Sequence, residues 1–436
     1  MQNLKGLKMN KLQKYPKYKN SGVEWIGEIP EHWNVRRLKY VANLFYGYPF
    51  NSEYFTKNNG IKVVRIGDIN DPIDFTKCIN SFEEILDKKA KIIKNDTLIA
   101  LSGATTGKCC FIRNEVKNAY INQRIVRINY INSFIYYITS NDNFTKYLLI
   151  GADGSAQENL SNYSLKNSYI PMPPKEEQIQ IAEYLDKKTE KIDKLISIKE
   201  KLIKKLKEQR QIIINNAVTK GLNPNVKMKD SGIEWIGEIP EHWEIVKGKR
   251  LFKQEKRSVK PNDEIITCFR DGMVTLRKNR RIEGFTNALK EHGYQGIRKG
   301  DLVIHAMDAF AGAIGISDSD GKSSPVYSVC VPWNKNTTLP LYYAKYLRNL
   351  ALQGFIKSLA KGIRERSTDF RFKDFGELLL PFPSYQEQIQ IAKYLDKKTA
   401  QIDKAIKLQE EQIKKLKEYK TTLIDSVVTG KVRVIK

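Results

Sequence analysis

The sequence predicts an α+β protein: two α/β bodies on a pseudo-two-fold, antiparallel pair of long helices that form a coiled coil. Three observations predict this fold. The segment EQIQIAEYLDKKT at 177–189 returns with one difference at 387–399, 210 residues later. The segment SGVEWIGEIPEHW at 21–33 returns with one difference at 231–243, at the same spacing. Each copy of the first segment also opens a long lysine-rich stretch with an apolar stripe. Two repeat pairs at one spacing indicate a tandem duplication of the whole chain.

The repeats divide the chain into five predicted segments. They are an arm (1–20), a first body with its brace (21–172), a helical spacer (173–219), a second body with its brace (220–382), and a second helical segment with a tail (383–436). The arm is polar and lysine-rich, so we expect it to be loose. The brace is the repeated SGxEWIGEIPEHW segment. Its Trp25, Gly27, Pro30 and Trp33 favour a rigid, proline-turned piece that docks on a neighbouring element and does no chemistry.

The charge of the chain indicates a polyanionic partner. Its 436 residues suffice for two or three domains, and 41% of them are hydrophobic, so it is globular. Lys and Arg number 75 against 49 Asp and Glu, a net charge of +26. That excess favours double-stranded DNA as the partner, although a lysine-rich surface set by genome composition is the alternative. The two helical segments carry only about five of these charges, so the positive field belongs to the bodies and the arm.

Several classes of protein are disfavoured. The N-terminus has no apolar signal core, and no apolar run approaches the roughly 18 residues of a membrane span, so we expect a cytoplasmic protein without a membrane partner. Five cysteines without CxxC spacing and four histidines without HxxxH spacing argue against a disulfide frame and a metal site.

The two bodies have equal length but little identity. Residues 34–172 alternate short β-branched runs with Gly, Asn and Asp turns, which predicts strands at 61–66, 97–101 and 124–128 and a helix at 133–150. Residues 244–382 match this body in length.

One pair of strands can be matched between the bodies. DTLIAL at 96–101 corresponds to DLVIH at 301–305, and a Gly-containing loop follows each. A frame that is kept while the bodies diverge suits two domains that do one kind of job on two different targets.

Each body ends in a proline-rich exit that leads into a long helix. The second helix begins with a Ser384–Glu387 capping box, and the first has Pro174 at the equivalent place. About 40 residues each would make the helices roughly 60 Å long. The predicted seam of the first helix comprises Ile181, Leu185, Ile192, Leu195, Leu202, Leu206 and Ile213. The predicted seam of the second comprises Ile391, Leu395, Ile402, Ala405, Leu416 and Leu423. We also expect the C-terminal tail to meet the N-terminal arm, which would close a pseudo-ring.

Several motifs that mark common enzyme families are missing from the sequence. The segment at 103–108 resembles a phosphate loop, but it has three residues between its glycines instead of four, and Cys109 follows the lysine. There is no Asn/Asp-Pro-Pro-aromatic loop, no GxGxxG after a strand and no GxSxG. We therefore expect a non-catalytic binding subunit. An enzyme with cryptic motifs and an architectural coiled-coil protein that binds DNA without sequence preference are the alternatives.

Polar and basic side chains on Gly-flanked loops are the candidate DNA contacts. Arg and Gln can make bidentate contacts with bases, and Lys mostly neutralises phosphate. In the first body the candidates are Tyr46, Tyr48, Asn51, Arg65, Ser102, Thr105, Thr106, Lys108, Gln123, Arg124 and Gln157. In the second they are Arg270, Arg277, Lys278, Arg280, Arg281, His305, Arg364 and Arg366. Each of them alone could equally be surface charge or fold support.

Several strings resemble the specificity subunits of type I restriction–modification systems. They are the SGxEWIGEIPEHW brace, INQR at 121–124, GSAQxNL at 154–160 and the exit IPMPPKEEQIQIAEYLDKKT, which is the most specific. The resemblance covers essentially the whole chain. The second body keeps the exit but has KGIRER at 361–366 in place of GSAQxNL.

The resemblance implies two target-recognition domains in inverted orientation, each of which reads one half of a split, asymmetric DNA site. The spacer and braces would bind two methylation (M) subunits, which use S-adenosylmethionine to modify adenine. Restriction (R) subunits that use ATP and Mg²⁺ would join this core, and no cofactor would reside in this chain. A helix of roughly 60 Å would limit the separation of the half-sites to about 18 base pairs.

Overall fold

The computed structural model describes residues 13–83, 88–150, 159–280, 292–359 and 369–434. Its contacts divide the chain into two compact units, Met1–Lys199 with Glu410–Lys436 (unit 1) and Glu200–Gln409 (unit 2). The division falls inside both long helices, whereas the sequence suggested separate helical segments. The reason is that each half of a helix packs on the body beside it.

Unit 1 begins with a brace and continues into two sheets. Its strands are β1 (Tyr18–Asn20), β2 (Glu28–Pro30), β3 (Asn34–Arg37), β4 (Asn43–Tyr46), β5 (Phe55–Thr56), β6 (Ile61–Val64), β7 (Ile79–Ser81), β8 (Asp96–Ala100), β9 (Cys109–Phe111), β10 (Ala119–Ile121), β11 (Ile125–Asn129) and β12 (Tyr169–Met172). Its helices are α1 (Phe134–Thr139), α2 (Asp142–Ile150), α3 (Asn162–Asn167) and the first part of α4 (Lys175–Lys220). The sheets have the orders β4-β11-β8-β9 and β10-β6-β7-β5, and only β10 and β6 pair in parallel.

Unit 2 repeats much of this plan. Its strands are β13 (Met228–Asp230), β14 (Glu238–Pro240), β15 (Glu244–Lys247), β16 (Phe252–Gln254), β17 (Ile266–Cys268), β18 (Val274–Leu276), β19 (Gln295–Ile297), β20 (Leu302–His305), β21 (Ile314–Ile316), β22 (Gly321–Ser323), β23 (Tyr327–Pro332) and β24 (Leu379–Phe382). Its helices are α5 (Gly248–Leu251), α6 (Pro340–Leu352), α7 (Phe355–Ser358), α8 (Phe372–Glu377) and part of α9 (Tyr385–Val428).

Each unit has its own central antiparallel sheet, and the two sheets are built alike. In unit 2 its order is β16-β23-β20-β21, the counterpart of β4-β11-β8-β9 in unit 1. β12 with β3 and β24 with β15 form matching two-stranded pairs as well. The second sheet differs, because four strands in unit 1 are replaced by the separate pairs β17-β18 and β19-β22. The prediction of a kept frame with diverged bodies therefore holds for the described residues.

An aspartate at the start of the central strand is used alike in both units, which supports the match of DTLIAL with DLVIH. Asp96 accepts the backbone N–H of Ile93 at 2.8 Å, and Asp301 accepts that of Arg298 at 2.7 Å. Each carboxylate is also paired with an arginine, Asp96 with Arg127 at 2.9 Å and Asp301 with Arg257. A buried carboxylate needs such partners.

The first turn of each long helix joins brace, exit and helix. Glu177 lies 2.9 Å from His32 of the first brace, and Glu387 lies 2.9 Å from His242 of the second. The glutamine that follows each glutamate, Gln178 or Gln388, donates to the carbonyl of the exit proline. The Ser384 capping box is confirmed, since Ser384 and Glu387 exchange hydrogen bonds.

Most side chains of the predicted helical seam are buried. Its predicted members Ile181, Leu185, Ile192, Ile391, Leu395, Ile402, Leu416 and Leu423 are buried, and Leu206, Ile213 and Ala405 are half-buried. The prediction is wrong for Leu195 and Leu202, whose side chains are 37% and 41% exposed. At about 100° per residue they lie roughly 60° and 80° to one side of Ile192, whereas Ile196 stays on the buried face.

Two further expectations need correction. The predicted helix at 133–150 is two helices, because the Asn141 side chain accepts the N–H of Asn143 and starts α2 anew. The arm is not loose over its described part, since Tyr15 is buried against Trp33 and donates to Glu177. The meeting of arm and tail is confirmed, because Arg433 N–H donates to Gln13 O at 2.7 Å.

Candidate nucleic-acid interface

Four loops of unit 1 meet at one edge of its sheets, where β4, β6, β8 and β10 end. The parallel strands β6 and β10 end side by side, and Asn122 N–H donates to Val64 O at 2.9 Å. Leu101 N–H donates to Arg124 O, and Tyr48 N–H donates to Ile121 O, both at 2.9 Å. We call the loops 47–51, 65–68, 101–108 and 122–124 the strand-end surface. They contain most of the predicted contact residues of the first body.

Several predicted side chains on this surface are available to a ligand. Arg65, Lys108, Gln123 and Arg124 are exposed, and Ser102 is half-buried. Tyr48 and Thr106 are half-buried as well, but their hydroxyls donate to Glu83 and to Gly103 O. Guanidinium and amide groups can pair with base edges, and the ammonium group with phosphate. Arg65 lies 3.6 Å from Asp68, a distance that fits a loose ion pair.

Three predicted residues are poorly placed to contact a base. The hydroxyls of Tyr46 and Thr105 are buried and find no hydrogen-bond partner among the described residues. Tyr46 lies within the sheet, opposite Val126, and burial raises its pKa. Asn51 is exposed, but its side chain accepts the N–H of Glu53 and closes a turn. These three are therefore poor base readers in this structure.

Glu83 and Gly47 shape the strand-end surface. Glu83 accepts the hydroxyl of Tyr48 and the N–H of Asn51, both at 3.0 Å, and the first of these bonds raises the pKa of Tyr48. At Gly47 a Cβ atom would lie 2.0 Å from the carbonyl oxygen of Asn122. The close approach of the two chain segments thus requires glycine. The sequence carried no signal for the role of Glu83.

In unit 2 the predicted residues gather on the β17–β18 hairpin and at the end of β20. Arg270 pairs with Asp308 at 2.8 Å, Lys278 with Glu264 at 2.6 Å, and Arg280 with Asp271 at 2.5 Å. Arg277 Nε donates to Thr267 Oγ1 at 3.3 Å. All four basic residues thus already have polar partners, and the sequence pointed to none of the acidic ones.

His305 is the last residue of β20 and lies at the end of this strand. Its Nδ1 accepts the N–H of Asp308 at 3.1 Å, and its ring meets Tyr327 edge-on. Burial lowers its pKa. A neutral ring whose Nδ1 accepts carries its proton on Nε2, so His305 would offer a donor to a ligand.

The predicted Gln157, Arg281, Arg364 and Arg366 lie outside the described residues. However, the residues that follow the undescribed segments 151–158 and 360–368 make equivalent backbone contacts in the two units. Leu160 N–H donates to Leu101 O at 2.8 Å, and Phe370 N–H donates to Ala306 O at 3.1 Å. Leu101 follows β8 and Ala306 follows β20. In each unit the chain therefore returns to the end of its own central strand, and the two strands are equivalent.

The described residues offer little else for chemistry. They contain no group of three or more His, Cys, Asp and Glu side chains that could hold a metal ion. None of their helices is both long and apolar enough to cross a membrane. Burial raises the pKa of the Cys78 thiol to about 11 and that of Cys109 to about 12, so neither is primed as a nucleophile.

Comparison with known proteins gives a consistent result. Residues 30–208 match the family described as the type I restriction modification DNA specificity domain. The chain is 25% identical to a protein of Methanocaldococcus jannaschii named as the MjaX specificity subunit of a type I restriction enzyme, over 97% of this chain and 99% of that protein. It is 23% identical to the EcoBI specificity subunit of Escherichia coli, over 86% and 81% of the two chains.

Two solved structures share the fold. A chain from a study of complex assembly and conformational transition of the type I R-M system has a TM-score of 0.66 at 15% identity, over 92% of this chain and 98% of that one. The HsdS subunit from Thermoanaerobacter tengcongensis has a TM-score of 0.50 at 16% identity, over 93% and 98%. Residues 30–208 thus match the specificity domain, and nearly the whole chain is similar, in sequence and in its α+β fold, to the DNA specificity subunits of type I restriction–modification systems, the non-catalytic components of those complexes.

Proposed function

We propose that each body reads one half of a bipartite, asymmetric DNA site. The strand-end surface of unit 1 would read one half, and the β17–β18 hairpin with the end of β20 in unit 2 would read the other. One observation carries this proposal. In both units the central sheet has the same plan, an aspartate (Asp96 or Asp301) lies at the start of the central strand, and the chain returns to the end of that strand, yet the side chains at the strand ends differ. A shared frame with unlike surfaces suits two readers of two different sequences.

The long helices would set the distance between the half-sites. Contacts within each unit support an antiparallel coiled coil: Asp193 pairs with Lys420 at 2.7 Å in unit 1, and Arg210 with Asp403 at 3.1 Å in unit 2. In both pairs a residue early in one helix meets one late in the other. The 46 residues of α4 would be about 69 Å long at about 1.5 Å each.

The partners would be double-stranded DNA, two methylation subunits bound through the helices and braces, and restriction subunits that join through them. S-adenosylmethionine, ATP and Mg²⁺ would reside on those partners, and the complex would act in the cytoplasm. The near-balanced charge of the helices supports a protein partner rather than DNA on their exposed faces.

An exchange of bodies tests the two-reader proposal. Residues 34–172 are replaced by the corresponding body of another specificity subunit, and the site is selected from a random duplex library with the methylation partner present. We expect one half-site to change while the other half and the gap stay the same. A change in both halves, or enrichment of one contiguous palindrome, would contradict the proposal. Binding that depends only on salt and DNA length would instead favour an architectural protein.

A further inference from the structure

Two exposed arginines of unit 2 are held in the same way. The guanidinium carbon of Arg280 lies 4.4 Å from the centre of the Phe269 ring, and its Nη2 lies 2.5 Å from Asp271 Oδ2. The guanidinium carbon of Arg270 lies 5.9 Å from the centre of the Phe310 ring, and its Nη2 lies 2.8 Å from Asp308 Oδ1. Each arginine therefore has an aromatic ring against its face and a carboxylate at one edge.

The two aspartates are themselves held in turns, Asp271 through its carboxylate and Asp308 through its backbone. Asp271 Oδ1 accepts the N–H of Met273 across the β17–β18 turn, where Gly272 has a φ of +89°. The N–H of Asp308 donates to His305, and its carbonyl accepts the N–H of Ala311. Both arginines remain exposed although they are held. A guanidinium fixed on one edge keeps its other N–H groups for a ligand.

An acidic group beside each arginine matters for a protein that must discriminate among DNA sequences. Free arginines bind any phosphate, which raises affinity for all duplexes alike. A carboxylate repels phosphate, and it holds the planar guanidinium in one orientation, which suits the bidentate N7 and O6 pattern of guanine. We propose that Asp271 and Asp308 are specificity-determining residues: they orient Arg280 and Arg270 towards base edges and suppress their contacts with phosphate. This inference rests on the proposed DNA-reading function of unit 2.

The key variants are Asp271→Asn and Asp308→Asn, which keep the shape of the side chain and its ability to accept a hydrogen bond. Glu377→Gln is the matched control, because it removes the same charge and frees Lys247 and Lys249. Glu377 lies at the other end of the sheet: β23 runs from Tyr327, beside His305, to Pro332, beside Phe252, and α5 with its neighbour α8 adjoins Phe252.

The full chain with its methylation partner is measured on two probes, the duplex enriched from a random library and a scrambled duplex of the same length. For both aspartate variants we expect tighter binding to the scrambled duplex. The log–log slope of affinity against salt should also steepen by about 0.9 for each further phosphate that the freed arginine neutralises. The ratio of the two affinities should fall, whereas Glu377→Gln should leave ratio and slopes unchanged.

Arg280→Lys provides a second, independent measurement, because it keeps the charge but loses the planar fork. We expect it to weaken binding to the enriched duplex by roughly 5- to 100-fold and to leave the scrambled duplex unaffected. An unchanged affinity ratio in both aspartate variants, or an equal change in Glu377→Gln, would overturn the inference while the proposed function stands. If the unaltered complex enriches no duplex, the proposed function and the inference both fail.

Discussion

At the scale of single residues, the strand-end surface depends on one glycine. Gly47→Ala would place a Cβ atom 2.0 Å from the backbone oxygen of Asn122, and backbone cannot yield as a side chain can. We expect unit 1 to lose about 1–3 kcal/mol of stability and its half-site to be read poorly. Urea unfolding and selection from a random duplex library measure the two effects.

Gly67→Ala is the control for this prediction, since Gly67 lies in the same surface and an added Cβ would meet nothing within 4 Å. It should behave as the unaltered chain does. If both variants are equally stable and keep the same half-site, the convergence of the loops does not depend on Gly47.

A second prediction at this scale concerns pH. Burial would raise the pKa of Glu387, but hydrogen bonds from His242, Ser384 and Trp243 outweigh it and lower the pKa below its usual value. The folded state therefore holds the carboxylate in its charged form. This contribution to stability is present above the ordinary pKa of about 4.3 and is lost as the pH falls through the lowered folded value.

We therefore expect the thermal midpoint of unit 2 to fall more steeply below about pH 4 in the unaltered chain than in Glu387→Gln. Melting curves recorded at several pH values between about 7 and 3 make this comparison. Parallel curves for the two proteins over the whole range would show that Glu387 does not contribute in this way.

At the scale of elements, α4 shows what periodicity can and cannot predict. The heptad pattern correctly located Ile181, Leu185 and Ile192 on the buried face. It failed at Leu195, because a leucine three residues after Ile192 and an isoleucine four residues after it both fit a heptad seam. Only the packing partner decides between them, and the buried residue is Ile196.

Alanine substitutions at these neighbours test the corrected seam. Ile196→Ala should cost about 2–4 kcal/mol of stability because it opens a cavity, whereas Leu195→Ala should cost less than about 1 kcal/mol. Both substitutions introduce the same residue into the same helix, so helix propensity changes little between them. Midpoints of urea unfolding give the comparison, and an equal or reversed order would refute the assignment.

For the strands, too, the sequence predicts some features and not others. The central strands could be predicted, because β-branched runs after Asp96 and Asp301 leave little choice of structure. The parallel pairing of β6 with β10 could not, because it joins residues 57 positions apart through no local signal. Since that pairing brings Arg65 beside Gln123 and Arg124, the sequence could predict the candidate side chains but not their convergence. Asp308 was missed for the same reason, since it lies 38 positions from Arg270.

At the scale of the whole molecule, the 210-residue repeat means that one frame is built twice. The long helices are proposed to set the distance between the two half-sites. Four residues inserted near Lys201, with four more near Glu411 on the other helix, should lengthen the preferred gap by about 6 Å, or roughly two base pairs. Both half-sites should stay as they are. Site selection with the methylation partner measures the gap. An unchanged gap with intact binding would show that the helices do not set the distance.

The return of the chain to the central strand, by Leu160 in one unit and Phe370 in the other, has a consequence for how such a protein can change over generations. These backbone bonds do not depend on which side chains the proposed reading loops carry. Substitutions of exposed side chains in those loops, unlike that of Gly47, should therefore cost little stability, so that new recognition can arise without first repairing the fold. Because these backbone bonds form separately in each unit, one body can accumulate substitutions while the other keeps its structure.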